Sequence, residues 1–181
     1  MGYSGGTKVN PTYRGLGDHS ESIQIDYDPS QISYEKLLEI FWSSHNPTLR
    51  TWSTQYKAAI FYHNEDQKRL AFQTREYESS KRNSKIVTEI LPATDFYVAE
   101  TYHQKYRLQQ HRELMKEFRS MYPSEGDFVN STAAARVNGY LDGYGTVDSL
   151  QEELNGLGLS PEQSKKLLDV VKNRKKLFGL F

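Results

Sequence analysis

Hydrophobic residues follow strand-like patterns at three places in the first half of the chain. Within Ser22–Asp28, every second residue from Ile23 onward is hydrophobic and the residues between are polar, which predicts a half-buried strand. Tyr56–Tyr62 is a continuous hydrophobic run rich in aromatic residues, and Ile86–Ile90 is a shorter one. Both runs predict buried strands, and Pro92 is expected to end the second.

Hydrophobic residues at helical spacing lie between and after these strands. Ser33 can cap a helix that continues through Trp42, and Asn64 can cap a second, charged helix. A third helix is predicted over Gln104–Met121, where His111 lies on the hydrophobic side and is interpreted as a packed core residue. The mixed order of strands and helices, without an internal repeat, favours an α+β layered fold over a barrel.

The composition changes after residue 122, so residues 1–122 are predicted to form the core. Residues 123–147 are small and Gly-rich, and they are interpreted as a connecting segment. Residues 148–181 contain two helical patterns and predict a helical hairpin as a C-terminal extension.

The second helix of this hairpin has a strong start signal, SPEQ at 160–163. Ser160 can act as N-cap, Pro161 occupies the first helical position, and Gln163 follows as the third. The basic KNRKK stretch at 172–176 is interpreted as complementing the helix dipole rather than as a nucleic-acid site.

Charge and composition narrow the class of protein. Lys plus Arg and Asp plus Glu both number 23, so a net charge of zero gives no overall attraction to nucleic acid or anionic membranes. No hydrophobic run approaches the roughly 20 residues that a membrane helix needs, and the first residues do not resemble a signal peptide. These features predict a cytoplasmic protein. The chain contains no Cys, which excludes disulfides, thiolate metal ligands and a thiol nucleophile within these residues.

Common catalytic and cofactor motifs do not occur. The five His residues, at positions 19, 45, 63, 103 and 111, do not have the spacing of a metal-binding helix, so no metal site is predicted. There is no G-x-S-x-G elbow and no G-x-G-x-x-G or phosphate-binding loop, so a serine hydrolase or a nucleotide-binding enzyme has no support. No bound cofactor is therefore expected.

A set of polar and aromatic motifs remains, and their order along the chain resembles the peptide methionine sulfoxide reductase A family. The matching motifs are GYSGG followed by NPTY, GDHSE leading to YDP, ISYEKLLEIFWSSHNPT, TQYKAAIFY, and FYVAETYHQKY at 96–106. The resemblance covers roughly residues 2–106, with a weaker echo at Asn138-Gly139-Tyr140.

The resemblance implies a ferredoxin-like two-layer sandwich core and the reduction of methionine S-sulfoxide, free or in proteins. In that reaction a thiolate attacks the sulfoxide sulfur while the oxygen is protonated, which leaves a sulfenic acid that another thiol resolves. Glu21 would protonate the oxygen, and Tyr13 and Tyr56 would donate hydrogen bonds to it. The protein would act in repair under oxidative stress.

Further residues would brace the wall of this site without reacting. These residues are Gln55, Tyr97, Glu100, Tyr102, His103 and Tyr106. For any one of the aromatic residues among them, a role as an ordinary core side chain is an equally good interpretation. The resemblance also implies that thioredoxin or another dithiol regenerates the enzyme.

The chain departs from the family pattern in several respects. The G-C-F-W stretch with the nucleophilic Cys, expected upstream of GYSGG together with a first strand and helix, is absent, and Leu141 follows Asn-Gly-Tyr where a second Cys is common. LRTWS at 49–53 replaces a longer segment containing an Asp, and 123–181 has no match in the minimal pattern. We therefore expect no thiol-dependent turnover from this chain as written.

Two alternatives to the enzymatic reading remain. The chain could be a non-catalytic module that binds methionine sulfoxide or a protein partner through Tyr13, Glu21 and Tyr56. It could also expose a sheet edge and a hydrophobic face, and then fold poorly or aggregate.

Overall fold

The structure is a computed structural model in which residues 1–178 are described, except for the side chains of 174–178. The basic residues 174–176 of KNRKK therefore lie outside the described side chains. Among the described residues, the elements confirm a mixed α/β composition. The strands are β1 Gly2–Ser4, β2 Ser20–Ser22, β3 Ala59–Tyr62, β4 Glu89–Pro92 and β5 Tyr97–Val98. The helices are α1 Tyr34–Ser43, α2 Glu65–Arg82, α3 Tyr106–Gln109, α4 Arg112–Met121, α5 Glu125–Asn130, α6 Thr132–Asp142, α7 Val147–Glu153 and α8 Pro161–Phe178. Short 3₁₀ helices span Thr54–Tyr56, Thr101–His103 and Leu154–Leu157.

The chain forms two compact units. The first comprises Met1–Glu100, and the second begins at Thr101. This division differs from the boundaries at residues 122 and 147 in the sequence analysis, which remain a prediction. No helix among the described residues has both the length and the hydrophobicity to cross a membrane.

The strands of the first unit form two small sheets. In the three-stranded antiparallel sheet, β1 lies between β2 and β5, and Tyr3 is paired with both Glu21 and Tyr97. The second sheet is a parallel pair of β3 and β4. Helices α1 and α2 pack against that pair, burying a cluster that includes Leu38, Trp42 and Ile60.

The predicted strand over Ser22–Asp28 is wrong for most of its length, because β2 ends at Ser22. Ile23 and Ile25, the expected buried face, are 72% and 51% exposed. Alternating hydrophobic and polar residues indicate which face of a strand would be buried against a partner. The described residues do not cover the face formed by Ile23 and Ile25.

The two other strands form, but with shifted bounds. The predicted Tyr56–Tyr62 begins as the 3₁₀ helix Thr54–Tyr56 and becomes β3 only at Ala59. The predicted Ile86–Ile90 corresponds to β4, which begins at Glu89 and includes Pro92. Proline is tolerated there because β4 pairs on one side only.

The helix starts in the first unit are confirmed by their caps. The Ser33 side chain accepts a hydrogen bond from the Lys36 amide, and the Asn64 side chain accepts one from the Gln67 amide. These contacts satisfy amide groups that a helix leaves unpaired at its N-terminus. Helix α2 then ends at Asn83, which adopts a left-handed conformation.

The predicted helix over Gln104–Met121 is interrupted. It forms α3 and α4, and the backbone leaves helical geometry at His111, which is only partly buried at the start of α4 rather than packed in the core. The Asn138 side-chain oxygen accepts hydrogen bonds from the amides of Arg107 (2.9 Å) and Leu108 (3.2 Å). A side chain from a distant helix thus caps α3, which a local pattern does not show.

Residues 123–147 contain two helices, α5 and α6, rather than only a connecting segment. Ser124 and Ser131 cap them, and Gly143 ends α6 with a φ of 99°. The packing face of α6 combines the small Ala134 and Val137 with the larger Tyr140 and Leu141, all of which are buried. The predicted helices of the C-terminal hairpin are present as α7 and α8, and Ser160 caps α8 by accepting from the Gln163 amide at 3.3 Å.

Candidate functional site

The turn after β1 is built on two glycines. Gly5 has a φ of 80°, a conformation that side chains rarely adopt. A β-carbon on Gly6 would lie 2.6 Å from both the Asp18 carboxylate and the His19 backbone nitrogen. Glycine is therefore required for the chain to pass this close to the GDHSE segment.

Asp18 binds the turn through charge-assisted hydrogen bonds. The Thr7 amide lies 2.8 Å from both carboxylate oxygens, and the Thr7 hydroxyl donates at 3.0 Å. These bonds, led by the one from the Thr7 amide, lower the pKa of Asp18 to about 2 despite some desolvation. The carboxylate is therefore ionised at neutral pH and serves to hold the turn.

His19 holds the other side of the same turn. Its Nδ1 accepts from the Gly6 amide at 3.2 Å, and its Nε2 lies 2.8 Å from the Lys8 carbonyl oxygen. An amide can only donate and a carbonyl can only accept, so the ring carries its proton on Nε2. His19 is 1% exposed and packs edge-on against Tyr97 at 5.5 Å, which assigns it a structural role.

The register of the antiparallel sheet places Tyr3, Glu21 and Tyr97 side by side on one face. Glu100, just beyond β5, accepts a hydrogen bond from the Tyr3 hydroxyl at 2.6 Å and another from the Tyr13 amide at 3.0 Å. Glu100 therefore fixes the backbone that presents Tyr13.

Glu21 is joined to the 3₁₀ helix Thr54–Tyr56. The Gln55 side-chain amide donates to the Glu21 carboxylate at 2.6 Å. Ser53 orients this short helix, because its hydroxyl accepts from the Gln55 amide at 3.3 Å and its carbonyl from the Tyr56 amide at 3.2 Å. The cap thus determines where Gln55 and Tyr56 lie relative to β2.

Tyr13 and Tyr56 are hydrogen-bonded through their side chains, next to Glu21. This hydrogen bond and the electrostatic influence of Tyr13 raise the pKa of Tyr56, and desolvation and the negative charge of Glu21 raise it further. Tyr56 therefore keeps its proton as a hydrogen-bond donor. The two rings are 38% and 49% exposed, so a ligand can reach them from solvent.

The structure brings most of the predicted site residues together. Glu21, Gln55, Tyr13 and Tyr56 form one group, and Glu100 supports it. Tyr97 lies in the same sheet, against His19 rather than in this group.

The three remaining predicted residues belong to the second unit. Tyr102 and His103 lie in the 3₁₀ helix Thr101–His103, where their rings are 4.2 Å apart. Tyr106, which the sequence analysis also placed at the site wall, begins α3 in the same unit and is 58% exposed.

Sequence reasoning overlooked the roles of Tyr3, Asp18 and His19. All three lie inside the GYSGG and GDHSE motifs, and membership of these motifs was the sequence feature that could have marked them as part of the site. Their partners could not be read from it, because Tyr3 and Glu100 are 97 residues apart.

The two phenols of this group can donate hydrogen bonds to a ligand oxygen, and the Glu21 carboxyl group can deliver a proton to that oxygen when it is in its protonated form. Among the described residues, no group of three potential metal-binding side chains occurs. The chemistry that the carboxyl group and the two phenols themselves offer is hydrogen bonding and proton transfer.

Comparisons with known proteins agree with this arrangement. The family profile described as peptide methionine sulfoxide reductase matches residues 1–136, and the profile described as selenoprotein methionine sulfoxide reductase A, helical domain, matches residues 125–172. The chain is 42% identical over 165 residues to a peptide methionine sulfoxide reductase of Drosophila melanogaster, covering 90% of this chain and 66% of the relative. It is 41% identical over 148 residues to peptide methionine sulfoxide reductase A5 of Arabidopsis thaliana, covering 77% of this chain and 56% of the relative.

A solved structure supports the same relationship. Reduced Mxr1 from Saccharomyces cerevisiae superposes with a TM-score of 0.55 at 29% identity, over 62% of this chain and 70% of that one. In the comparison with curated relatives, by contrast, the chain spans less than two thirds of the length of the first ones it matches. The Asn138-Gly139-Tyr140 echo lies in α6, followed by Leu141 fully buried in the core of the second unit. On the length and specificity of these matches, the chain belongs to the peptide methionine sulfoxide reductase A family.

Proposed function

We propose that the group around Glu21 binds and protonates the oxygen of methionine S-sulfoxide in the reaction of a methionine sulfoxide reductase. Tyr13 and Tyr56 donate hydrogen bonds to the sulfoxide oxygen, and Glu21 delivers the proton. The observation that supports this assignment is the Glu21–Gln55 hydrogen bond of 2.6 Å beside the hydrogen-bonded Tyr13 and Tyr56.

The reaction requires a proton at the oxygen as the bond to sulfur breaks. A thiolate attacks the sulfoxide sulfur, the sulfur–oxygen bond breaks, and the oxygen ends as the hydroxyl of a sulfenic acid on the attacking sulfur. The methionine sulfur is reduced by two electrons, and the attacking sulfur is oxidised by two. A dithiol such as thioredoxin then converts the sulfenic acid to a disulfide with loss of water. General acid help at the oxygen typically contributes ~10²–10⁴ in rate.

The surrounding residues position this group. Gln55 donates a hydrogen bond to one oxygen of the Glu21 carboxyl group and so restricts the orientation of that group. Glu100 positions Tyr13 through its backbone amide. Tyr97, Tyr102 and His103 are proposed to brace the site on the basis of the family resemblance. The described contact of Tyr97 is with the ring of His19.

We propose that these 181 residues do not sustain turnover by themselves, because the sequence contains no Cys to attack the sulfoxide. Serine cannot replace it, since the intermediate requires a sulfur that can be oxidised. The test is NADPH consumption with thioredoxin, thioredoxin reductase and a methionine S-sulfoxide peptide. Consumption no higher than without the chain is expected, and sustained turnover would contradict the assignment.

Binding is tested separately by titration calorimetry with an S-sulfoxide peptide. Tyr56→Phe and Glu21→Gln are each expected to weaken binding by about 3- to 30-fold, because each removes a hydrogen bond to the oxygen. Tyr77→Phe and Glu76→Gln are matched controls on exposed positions of α2 and are expected to leave affinity unchanged. Equal affinity of all four variants would show that the oxygen does not bind at this group. The R-epimer and reduced methionine peptides serve as ligand controls.

A second candidate function is favoured by one observation: the hydrogen-bonding group is intact in a chain without Cys. Such a chain could act as a module that binds oxidised methionine or a partner protein without reducing it. Binding of the S-sulfoxide peptide that depends on Glu21 and Tyr56 but yields no methionine, even with added dithiol, supports this function. Methionine formation would exclude it.

Finer features are proposed on the family relationship. These are a ferredoxin-like two-layer core, the division into 1–122, 123–147 and 148–181, and action in the cytoplasm on oxidised proteins with thioredoxin as reductant.

A further inference from the structure

The segment that precedes the candidate site carries an unusually exposed tryptophan. Trp52 is 95% exposed, and Leu49 in the same segment is 65% exposed. Trp42, by contrast, is 2% exposed and donates its indole N–H to Thr74 at 2.9 Å. Tryptophan in proteins is usually well buried, so an almost fully exposed indole beside a ligand-binding group indicates a contact that forms on binding.

The backbone around Trp52 is held in a defined turn. The Thr51 hydroxyl donates to the Ser53 carbonyl at 3.1 Å, and the same carbonyl accepts from the Tyr56 amide. Trp52 thus immediately precedes the cap of the 3₁₀ helix that presents Gln55 and Tyr56. Because the Ser53 carbonyl accepts from the Tyr56 amide, the α-carbons of Ser53 and Tyr56 lie about 6 Å apart, so those of Trp52 and Tyr56 lie at most about 10 Å apart.

This distance matches a bound peptide better than a single amino acid. An extended peptide advances ~3.3 Å per residue, so about 10 Å corresponds to at most about three residues from the oxidised methionine. The indole ring of Trp52 itself spans part of this distance, so it can contact the residues next to the oxidised methionine. A hydrophobic side chain is the partner that an exposed, uncharged aromatic ring binds best.

We propose that Trp52 contacts a hydrophobic side chain that flanks the oxidised methionine, and that it gives the site a preference for peptides with such neighbours. This inference rests on the proposed function of the Glu21 group. Trp52 is a specificity-determining residue and takes no part in proton transfer.

The test uses two S-sulfoxide pentapeptides, one with Leu on both sides of the oxidised methionine and one with Gly. Calorimetry of the whole chain is expected to give about five- to tenfold tighter binding of the Leu peptide. Trp52→Ala should remove this preference while leaving the affinity for the Gly peptide unchanged. Trp52→Phe should retain part of it.

Fluorescence gives an independent readout. In Trp42→Phe, all tryptophan emission comes from Trp52, and the Leu peptide should shift it to shorter wavelength and protect it from acrylamide. In Trp52→Phe, emission from Trp42 should not respond to either peptide.

The possible failures are distinguishable. If the wild-type chain binds both peptides equally, or if Trp52→Ala keeps the preference for Leu, the inference about Trp52 is wrong and the Glu21 site stands. If the wild-type chain binds neither peptide, the proposed function fails and this inference fails with it.

Discussion

The two compact units are stabilised in different ways. The second unit contains one continuous buried cluster, whereas the first contains two smaller ones. Most of the large hydrophobic side chains that are exposed among the described residues belong to the first unit, including Ile23 and Trp52. The members of the cluster in the second unit are Leu108, Leu114, Phe118, Phe128, Ala134, Val137, Tyr140, Leu141, Leu150, Leu157, Leu167 and Val171.

The difference shows that the candidate site depends on polar contacts more than on hydrophobic packing. Asp18 and His19 hold the glycine turn, and Glu100 holds Tyr13. Such bonds depend on direction and protonation, whereas the free energy of burying hydrophobic area is non-directional and independent of protonation. Changes of side-chain volume should therefore affect the second unit most, and changes of pH should affect the first.

The largest effect is expected from Phe118→Ala in the second unit. Phe118 is fully buried and stacks on Tyr122, so the substitution leaves a cavity and should cost about 3–5 kcal/mol in the free energy of unfolding. Denaturant unfolding measures this cost. Tyr144→Ala, at a position 71% exposed in the same unit, is the control and should change stability by less than about 0.5 kcal/mol.

A smaller loss is expected from Leu38→Ala in the first unit. Leu38 is 3% exposed but belongs to a smaller cluster, whose neighbours can relax into the space, so we expect about 2–3 kcal/mol. Ile40→Ala, on the exposed side of the same helix, is the matched control. A cost for Leu38→Ala above that for Phe118→Ala would overturn the comparison between the units.

The helix caps allow a like-for-like comparison. Ser160→Ala should cost about 1–2 kcal/mol, because Ser160 caps α8 and its hydroxyl also donates to Glu117 at 2.9 Å. Ser33→Ala should cost about 0.5–1 kcal/mol, since it removes the cap bond that the Lys36 amide donates to the Ser33 hydroxyl. Thermal or denaturant unfolding of both variants tests the order, and the reverse order would contradict it.

The smallest effect expected is a loss of stability of the first unit at acidic pH, caused by protonation of Asp18. Its pKa is lowered from 3.8 to about 2, so its stabilising contribution is present above about pH 4 and is lost as the pH falls toward 2. Asp18→Asn should be less stable than wild type at neutral pH and should show less further loss over that range. Carboxyl NMR titration and melting temperature against pH measure this, and an unshifted Asp18 titration would refute it.

Local signals in the sequence predicted the helix starts well. Ser33, Asn64 and Ser160 each precede a helical pattern and do act as caps. A cap is a contact over three residues, so its partners are visible in a short stretch of sequence.

Features that depend on distant partners were predicted poorly. The alternation after Ser22 did not become a strand, and the break at His111 coincides with capping of α3 by Asn138. Residues 123–147 were interpreted as a connection because Ala and Gly are small, yet Ala134 is a buried helix residue. In each case, packing decided the outcome.

The candidate site could be predicted only through the family resemblance. Glu21 and Gln55 are 34 residues apart, and their hydrogen bond has no signature in the spacing of either. The motif order identified these residues, while composition and periodicity alone would have left them as ordinary surface positions.

Gly6 restricts how the sequence of this site can vary. Even the methyl group of alanine would meet the backbone of His19 and the carboxylate that anchors the turn, and backbone cannot rotate away as a long side chain can. In a saturation library selected for sulfoxide binding, position 6 should therefore return glycine alone, while exposed positions such as Val9 accept many residues. The loop therefore depends on glycine at position 6, whatever residues occupy its exposed positions.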